Sequence, residues 1–446
     1  MSSDALQFAL DTAQRAVEIA ASAGASAAEA TVAITHRYHV EARESTIARL
    51  ERSTARTLHV RAFAEGRKAL LSTSDLSASG MHDAIAATVA QAKHVAVDEF
   101  AALPESFAKN GIDLRLYDAA LVDRDGDARV EDALELERLI RAQDSRIVNS
   151  SGSHYQDAES FTAIANTAGF SGAYTSTRAS RSTGPVALDG EVKRTAHYGS
   201  AGRRLADLED LPSIAREAAR RATDLFGARK PPTGKFPVIF ERDVAATILD
   251  DLFSAVSAAN AANGNSWLIG RAGTKVGSDA VTIVDDGSMP EKLGSSPFDG
   301  EGVATQRTPV FERGVLKTFL YDTYYARKLG ATSTGNSNGS GIGTGNFYLQ
   351  PGSDSLEQLI AATRRGVLVL DTIGFATEHA SGTYSRGARG FFIENGELAY
   401  PVDEFTIAGM YAEMLAGIDA VGSDLRFDAA VVSPSFRVAE MTVSGN

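Results

Sequence analysis

Residues 374–410, GFATEHASGTYSRGARGFFIENGELAYPVDEFTIAGM, alternate glycine-hinged loops with short β-type runs. Phe391–Ile393 reads as one run, Glu394-Asn395-Gly396-Glu397 as a turn, and Leu398–Val402 as the return run. Asn-Gly between two apolar runs is the strongest short hairpin signal, because a type I′ turn needs positive φ at both central residues. Upstream, Gly382, Gly387 and Gly390 surround Tyr384 and Arg386. Glycines at that density let the backbone bend sharply or come close to another segment.

Outward from this stretch, Lys230-Pro231-Pro232-Thr233-Gly234 is the clearest boundary, since two prolines and a glycine stop a helix and cannot sit in a central strand. Phe236–Phe240 follows as an apolar strand. Val244–Ala259 is the longest apolar helix, with Val244, Ile248, Leu249, Leu252, Phe253 and Val256 covering one broad face. The remainder reads as short strands and glycine turns, with one helix near 355–365. Before the boundary, Asp4–Ala23 and Met81–His94 have helical periodicity, and Ala30–Val40, Thr57–Phe63 and Ala69–Ser72 read as strands. Ala101–Gly111 reads as a linker. A middle segment offers a helix at Val130–Ala142, a turn at Ile147–Gly152, strands at Phe161–Thr167 and Gly172–Ser180, and a helix led by Pro212. The expectation is an α+β protein in three parts: an N-terminal α+β region (1–110), a middle α+β segment (111–229) and a C-terminal β-rich domain (230–446). The N-terminal half should hold an antiparallel sheet with helices. The C-terminal domain should be a curved mixed sheet crossed by the buried helix.

The chain has 446 residues, a net charge of −13 and no cysteine. Its length suffices for two or three domains with proper cores. Disulfides, thiolate nucleophiles and cysteine metal ligands are excluded. The acidic balance argues against nucleic acid as the main ligand. No run approaches the ~20 apolar residues that cross a bilayer, so no membrane association is expected. Met1-Ser2-Ser3-Asp4 lacks the basic start of a signal peptide, so the expected location is the cytoplasm.

The run 381–397, SGTYSRGARGFFIENGE, resembles the C-terminal signature of the TldD/PmbA family, in its TldE (PmbA) branch. DSRIVNSSG (144–152), ARKPPTGKFPVIF (228–240), the long block 285–330 and TGNFYLQPGS (344–353) are similar to the same family's blocks. The resemblance implies a bacterial peptidase of two kinds of subunit. The TldD subunit carries zinc on an H-E-x-x-x-H helix, with a cysteine as third ligand. TldE is its metal-free partner.

In that resemblance the metal helix follows the KxxTGKFPVI strand, which here makes it Val244–Ala259. The motif would fall at Leu249, Asp250 and Ser254, and no histidine lies anywhere in this helix. Leucine and serine do not bind zinc, so no metal or other cofactor is expected in this chain, and zinc is expected in the partner. Asp250 retains a carboxylate but, with no metal to acidify a water, is expected to be a polar residue at the edge of a buried helix. His36 and His39, three apart in a β-type run, should point to opposite faces and not chelate one ion. His154 and His197 have no ligand-spaced partners.

Arg386 could pair with a substrate carboxylate or the partner's backbone, or could pin its own loop through an internal salt bridge. His379, Glu378, Tyr384 and Gly387 are the other candidates for substrate or partner contact. Gly339–Gly345 lacks the end of a phosphate loop and reads as a flexible loop near a subunit contact or entrance. Asp285, Asp286, Asp299 and Glu301 read as acidic turns.

The resemblance implies a heterodimer with a TldD-type subunit that cleaves unstructured peptides or modified peptide precursors. This chain would complete the chamber and hold substrate, without catalytic residues of its own. The strands around 391–402 are candidate edges for an extended peptide. Two alternatives are a metal-free binding scaffold, as a homodimer, and a self-sufficient hydrolase using Asp250, Glu378 or His379.

Overall fold

The computed structural model describes residues 2–109, 113–374 and 377–445. The expected 110/111 boundary, the end of the expected linker, and Phe375 and Ala376 of the quoted stretch lie outside the described residues. The chain is a mixed α+β protein with an antiparallel half-barrel sheet in its N-terminal half and a closed β-barrel in its C-terminal region. No helix among the described residues is long and apolar enough to cross a membrane.

The N-terminal half runs α1 (Ser2–Ser22), β1 (Ala27–Arg43), β2 (Thr46–Ala64), β3 (Arg67–Thr73), α2 (Ala78–Ala92), α3 (Ala119–Val122), α4 (Gly126–Gln143), β4 (Ile147–Asn166), β5 (Ser171–Asp189), β6 (Val192–Thr195), β7 (Tyr198–Gly202) and α5 (Leu211–Thr223). One sheet in the order β3-β2-β1-β4-β5-β6, with β7 on β5, joins strands from both sides of the expected linker. The alternation along β1 explains its two faces. Ala28, Ala30, Val32 and Ile34 are buried in the cluster that holds α1 and α2. Val40 and Ala42 pack with Tyr155 and with Ala133 of α4. Helices therefore cover the even-numbered face of β1. On the other face, Thr35, Arg37, His39 and Glu41 stand beside Ser160, Ala158, Gln156 and His154 of β4, a mostly polar row. At its lower end that face meets the C-terminal half. There Arg61 joins Glu29 to Glu301 at 2.6 Å on each side, and Phe298 packs against Phe170 and Tyr174.

Two expectations are corrected here. Ile147–Gly152 is not a turn but the start of the 20-residue strand β4, bulged between Ser150 and Ser153. Its polar residues hid it, because Ser150 and Ser153 donate to the buried Glu137 of α4 at 2.7 and 3.0 Å rather than showing apolar alternation. β1 and β2 also run well past their expected ends. Residues 46–50 of β2 are exposed, so no core face marks them.

The C-terminal half runs β8 (Gly234–Phe240), α6 (Arg242–Val256), α7 (Ala258–Ala262), β9 (Ile283–Asp286), β10 (Arg307–Glu312), β11 (Val315–Leu316), α8 (Thr323–Lys328), β12 (Phe347–Leu349), α9 (Leu356–Ala361), β13 (Arg365–Ile373), β14 (Thr377–Glu378), β15 (Thr383–Glu394), β16 (Glu397–Met410), α10 (Tyr411–Gly417), β17 (Ile418–Val421), β18 (Val431–Val432) and β19 (Phe436–Ser444). The order β13-β8-β19-β16-β15 closes through pairing of β15 with β13. A second sheet, β11-β10-β9-β12-β18, lies on the other side of α6. Val244, Ile248 and Leu252 share one core with Phe240 and Phe405 of the barrel and Phe311 and Phe347 of the second sheet. Each such side chain contributes ~1.5–3 kcal/mol on burial. The expected helix Val244–Ala259 is broken at Ser257, whose extended backbone bridges to Leu320.

The hairpin at Asn395-Gly396 has φ of 55° and 80°, as a type I′ turn requires. The edge expectation for 391–402 is overturned for its first strand: residues 391–394 pair with β16 on one side and β13 on the other. Barrel closure leaves β15 no free edge there.

Candidate functional site

The signature strand and the buried helix meet at one place. On β15, Tyr384, Arg386 and Ala388 point the same way because side chains alternate, and that way is toward α6. On α6, Val244, Ile248, Leu249 and Leu252 face the core, which leaves Thr247 and Asp250 on the exposed side and Asp251 at the border. Arg386 Nη2 donates to Asp251 Oδ2 at 2.6 Å, and Tyr411 Oη donates to the same oxygen at 2.6 Å. The Arg386 and Asp251 side chains are 12% and 14% exposed, so this pair is largely withdrawn from water.

Asp250 feels the charges of Asp251, Arg386 and His379. Burial, and then the Asp251 charge, raise its carboxyl above the usual carboxylate range. Tyr384 is fully buried, and its hydroxyl, which feels the charges of Arg386 and Asp251, has no hydrogen-bond partner among the described residues. Trp267 packs against Tyr411, His379 and Gly382. Its backbone N–H donates to the His379 carbonyl at 3.1 Å, and its ring stacks on Tyr411 with centroids 6.2 Å apart. Gly382 is required beneath it: a Cβ there would lie 2.8 Å from Trp267 Cγ, and φ is +75°.

The sequence candidates divide accordingly. Arg386, Tyr384, His379 and Asp250 come together. Glu378 is exposed and accepts from Ser381 Oγ at 3.0 Å. Gly387 lies along β15 opposite Thr406 and Ile373, where a Cβ would make only ordinary contacts. Leu249 is buried in the core, and Ser254, five residues on, is half-buried. Asp251, Tyr411 and Trp267 were missed. The signal available for Asp251 was its acidic neighbour on a helix otherwise apolar.

His36 and His39 do point to opposite faces: His36 Nδ1 lies 3.3 Å from Glu159, and His39 Nε2 lies 3.3 Å from His154 Nδ1. The acidic turns are corrected. Asp285 accepts from Asn336 Nδ2 at 2.7 Å and from the Gly345 N–H at 2.8 Å, and Asp299 accepts from the Ser337 N–H at 2.9 Å. Both are buried, and burial pushes them up to about 6 and about 7. They act as internal staples across the glycine-rich loop that had read as flexible.

The chain belongs to the PmbA/TldD family. The PmbA/TldA metallopeptidase C-terminal domain matches residues 233–445 and the family's central domain matches 121–226. The chain is 33% identical over 434 residues to the metalloprotease PmbA homolog of Haemophilus influenzae, covering 97% of this chain and 95% of that protein. It is 31% identical over 428 residues to the metalloprotease PmbA of Escherichia coli O157:H7, covering 95% and 94%. The solved TldE of Thermococcus kodakarensis has the same fold, with a TM-score of 0.87 at 22% identity over 97% of this chain and all of that one.

Zinc, which the family implies, does not fit these residues. The helix α6 has no histidine, the chain has no cysteine, and the carboxylate nearest the signature strand is taken by a guanidinium. The described residues contain no group of three or more His, Asp or Glu side chains that could hold a metal ion.

Proposed function

We propose that this chain is the non-catalytic, TldE-like subunit of a two-subunit zinc peptidase. Its TldD-type partner would hold the metal and cut the peptide bond, and the substrates would be unstructured peptides or modified peptide precursors. One observation carries the reading: the helix after the KPPTGKFPVIF strand has no histidine, the chain has no cysteine, and Arg386 and Tyr411 engage the Asp251 carboxylate there. A carboxylate held by a guanidinium and a phenol is a poor general base, and no metal activates a water beside it. The mostly polar row on one face of the N-terminal sheet supports a chamber wall, since its Thr, Ser, Gln, Arg and His side chains suit polar peptide in water. The cytoplasm is the proposed location.

The test is co-purification of the tagged chain with any protein bearing H-E-x-x-x-H, followed by metal analysis of each separately. The pair should digest a loose polypeptide and stop on chelation, and this chain alone should do neither. Stoichiometric tightly bound zinc in the isolated chain, with chelator-sensitive digestion, would overturn the proposal.

A further inference from the structure

A cavity of about 560 Å³ opens where the N-terminal half meets the barrel. That volume is in the range of sites that enclose a small organic molecule. Distant parts of the chain build its walls. His197 comes from the β6–β7 connection, Arg221 and Leu225 from α5 and the residues after it, Leu370 from β13 and Arg389 from β15. The β13–β15 ladder skips Leu370 in a bulge, and a bulge re-aims the side chains around it. Asp371, next along and also on the cavity wall, stands opposite Arg389 in the ladder.

The two guanidiniums of this cavity differ. Arg221 is spent: its Nε donates to Glu217 at 2.8 Å, and its Nη2 lies 2.7 Å from Asp243. Arg389 makes no hydrogen bond among the described residues. Its nearest carboxylates, Asp371 and Asp403, stay 3.6 and 3.8 Å away, and its Nε is buried without a partner. Asp403 is engaged elsewhere, by Arg194 and by the Glu404 N–H. Asp371 is in water, with 54% of its side chain exposed. His197 is a second unspent polar group on the same wall, with no hydrogen bond or ion pair among the described residues.

An arginine fork with open donors selects a planar anion, and a carboxylate matches its geometry. A phosphate dianion would meet twice the repulsion from Asp371 that a monoanion meets. Leu225 and Leu370 make part of the wall apolar, which suits a hydrocarbon group on the same ligand.

We propose that this cavity binds a monocarboxylate with an apolar body, its carboxylate held by Arg389. The ligand is either a free organic acid or the last residue of a peptide. The inference stands apart from the two-subunit reading above.

The test uses the full chain and two pairs of probes: N-acetyl-leucine and its amide, and a short peptide ending in leucine with a free or an amidated C-terminus. Binding is read by calorimetry. Each free acid should bind about tenfold more tightly than its amide. Tighter binding of the peptide acid marks a peptide end as the source, and tighter binding of N-acetyl-leucine marks a free acid. Inorganic phosphate should displace neither. Arg389→Gln should abolish the preference for acid over amide. Thr195→Trp, which puts an indole on the cavity wall and leaves every charged group in place, should weaken both acids. Should Arg389→Gln fail to fold, Thr195→Trp decides alone. Equal binding of acid and amide, binding of neither, displacement by phosphate, an acid preference that survives Arg389→Gln, or unchanged affinity in Thr195→Trp overturns the proposal. None of these results touches the question of a metal-bearing partner.

Discussion

Arg386 of β15 and Asp251 of α6 meet at 2.6 Å, and through them the glycine-rich strand is fastened to the buried helix. Removing one partner of a largely buried pair leaves the other charge without compensation, which costs about 3–5 kcal/mol. Arg386→Ala should lower the unfolding free energy by about 3 kcal/mol, measured by urea denaturation. Adding Asp251→Asn to it should recover part of that loss, because the stranded charge is then gone. An Arg386→Ala chain as stable as the wild type would show that the pair does not fasten the strand.

Gly390 offers a harsher test of barrel closure. A Cβ at this position would lie 1.8 Å from the Leu368 carbonyl oxygen on β13, a backbone atom that cannot swing aside. Gly390→Ala should therefore pry apart the β13–β15 pairing and yield a chain that is poorly soluble or melts well below the wild type. Gly387→Ala, three residues away with room for a methyl group, is the control and should melt close to the wild type in the same thermal scan.

Glu29 sets a pH dependence. Burial, only partly offset by Arg61, pushes its carboxyl from 4.5 up to about 7. Between those values the folded state holds the proton and the unfolded state has released it. Stability therefore falls as pH rises through this window and is highest below it. Asp299, raised to about 7 by burial and by Glu301, adds to the same slope. Glu29→Gln should make the melting temperature fall less between about pH 5 and pH 7.5. An unchanged slope would mean that Glu29 does not hold its proton there.

Restoring histidine to the helix should not restore a metal site. Leu249 is 2% exposed within the core shared by α6 and the barrel, so Leu249→His places an imidazole among apolar side chains. The Leu249→His, Ser254→His double variant should lose about 2–4 kcal/mol by denaturation and show no stoichiometric zinc by metal analysis. Zinc uptake with retained stability would refute the helix register.

Much of this architecture could be read from the chain, and the gaps have physical causes. The hairpin at Asn395-Gly396, the apolar helix and the opposed His36 and His39 follow from local periodicity and turn chemistry. The start of β4 did not announce itself, because Ser150 and Ser153 are buried for the sake of Glu137, a partner on another element. The closure of β15 onto β13 depends on a strand some twenty residues upstream, which no local pattern reports. Asp285 and Asp299 looked like ordinary surface acids until the folded chain placed backbone N–H groups of a distant loop against them. At the site, Arg386 was visible but its partner was not, since Asp251 and Arg386 are 135 residues apart.

The ladder between β1 and β4, continuous from Glu29 to Ala42, has one more implication. The two strands lie on either side of the long connection between α2 and α3, so a protease nick in that connection would cut the backbone without cutting the sheet. The resulting fragments should complement each other, migrating as one particle under native conditions and separating only in denaturant.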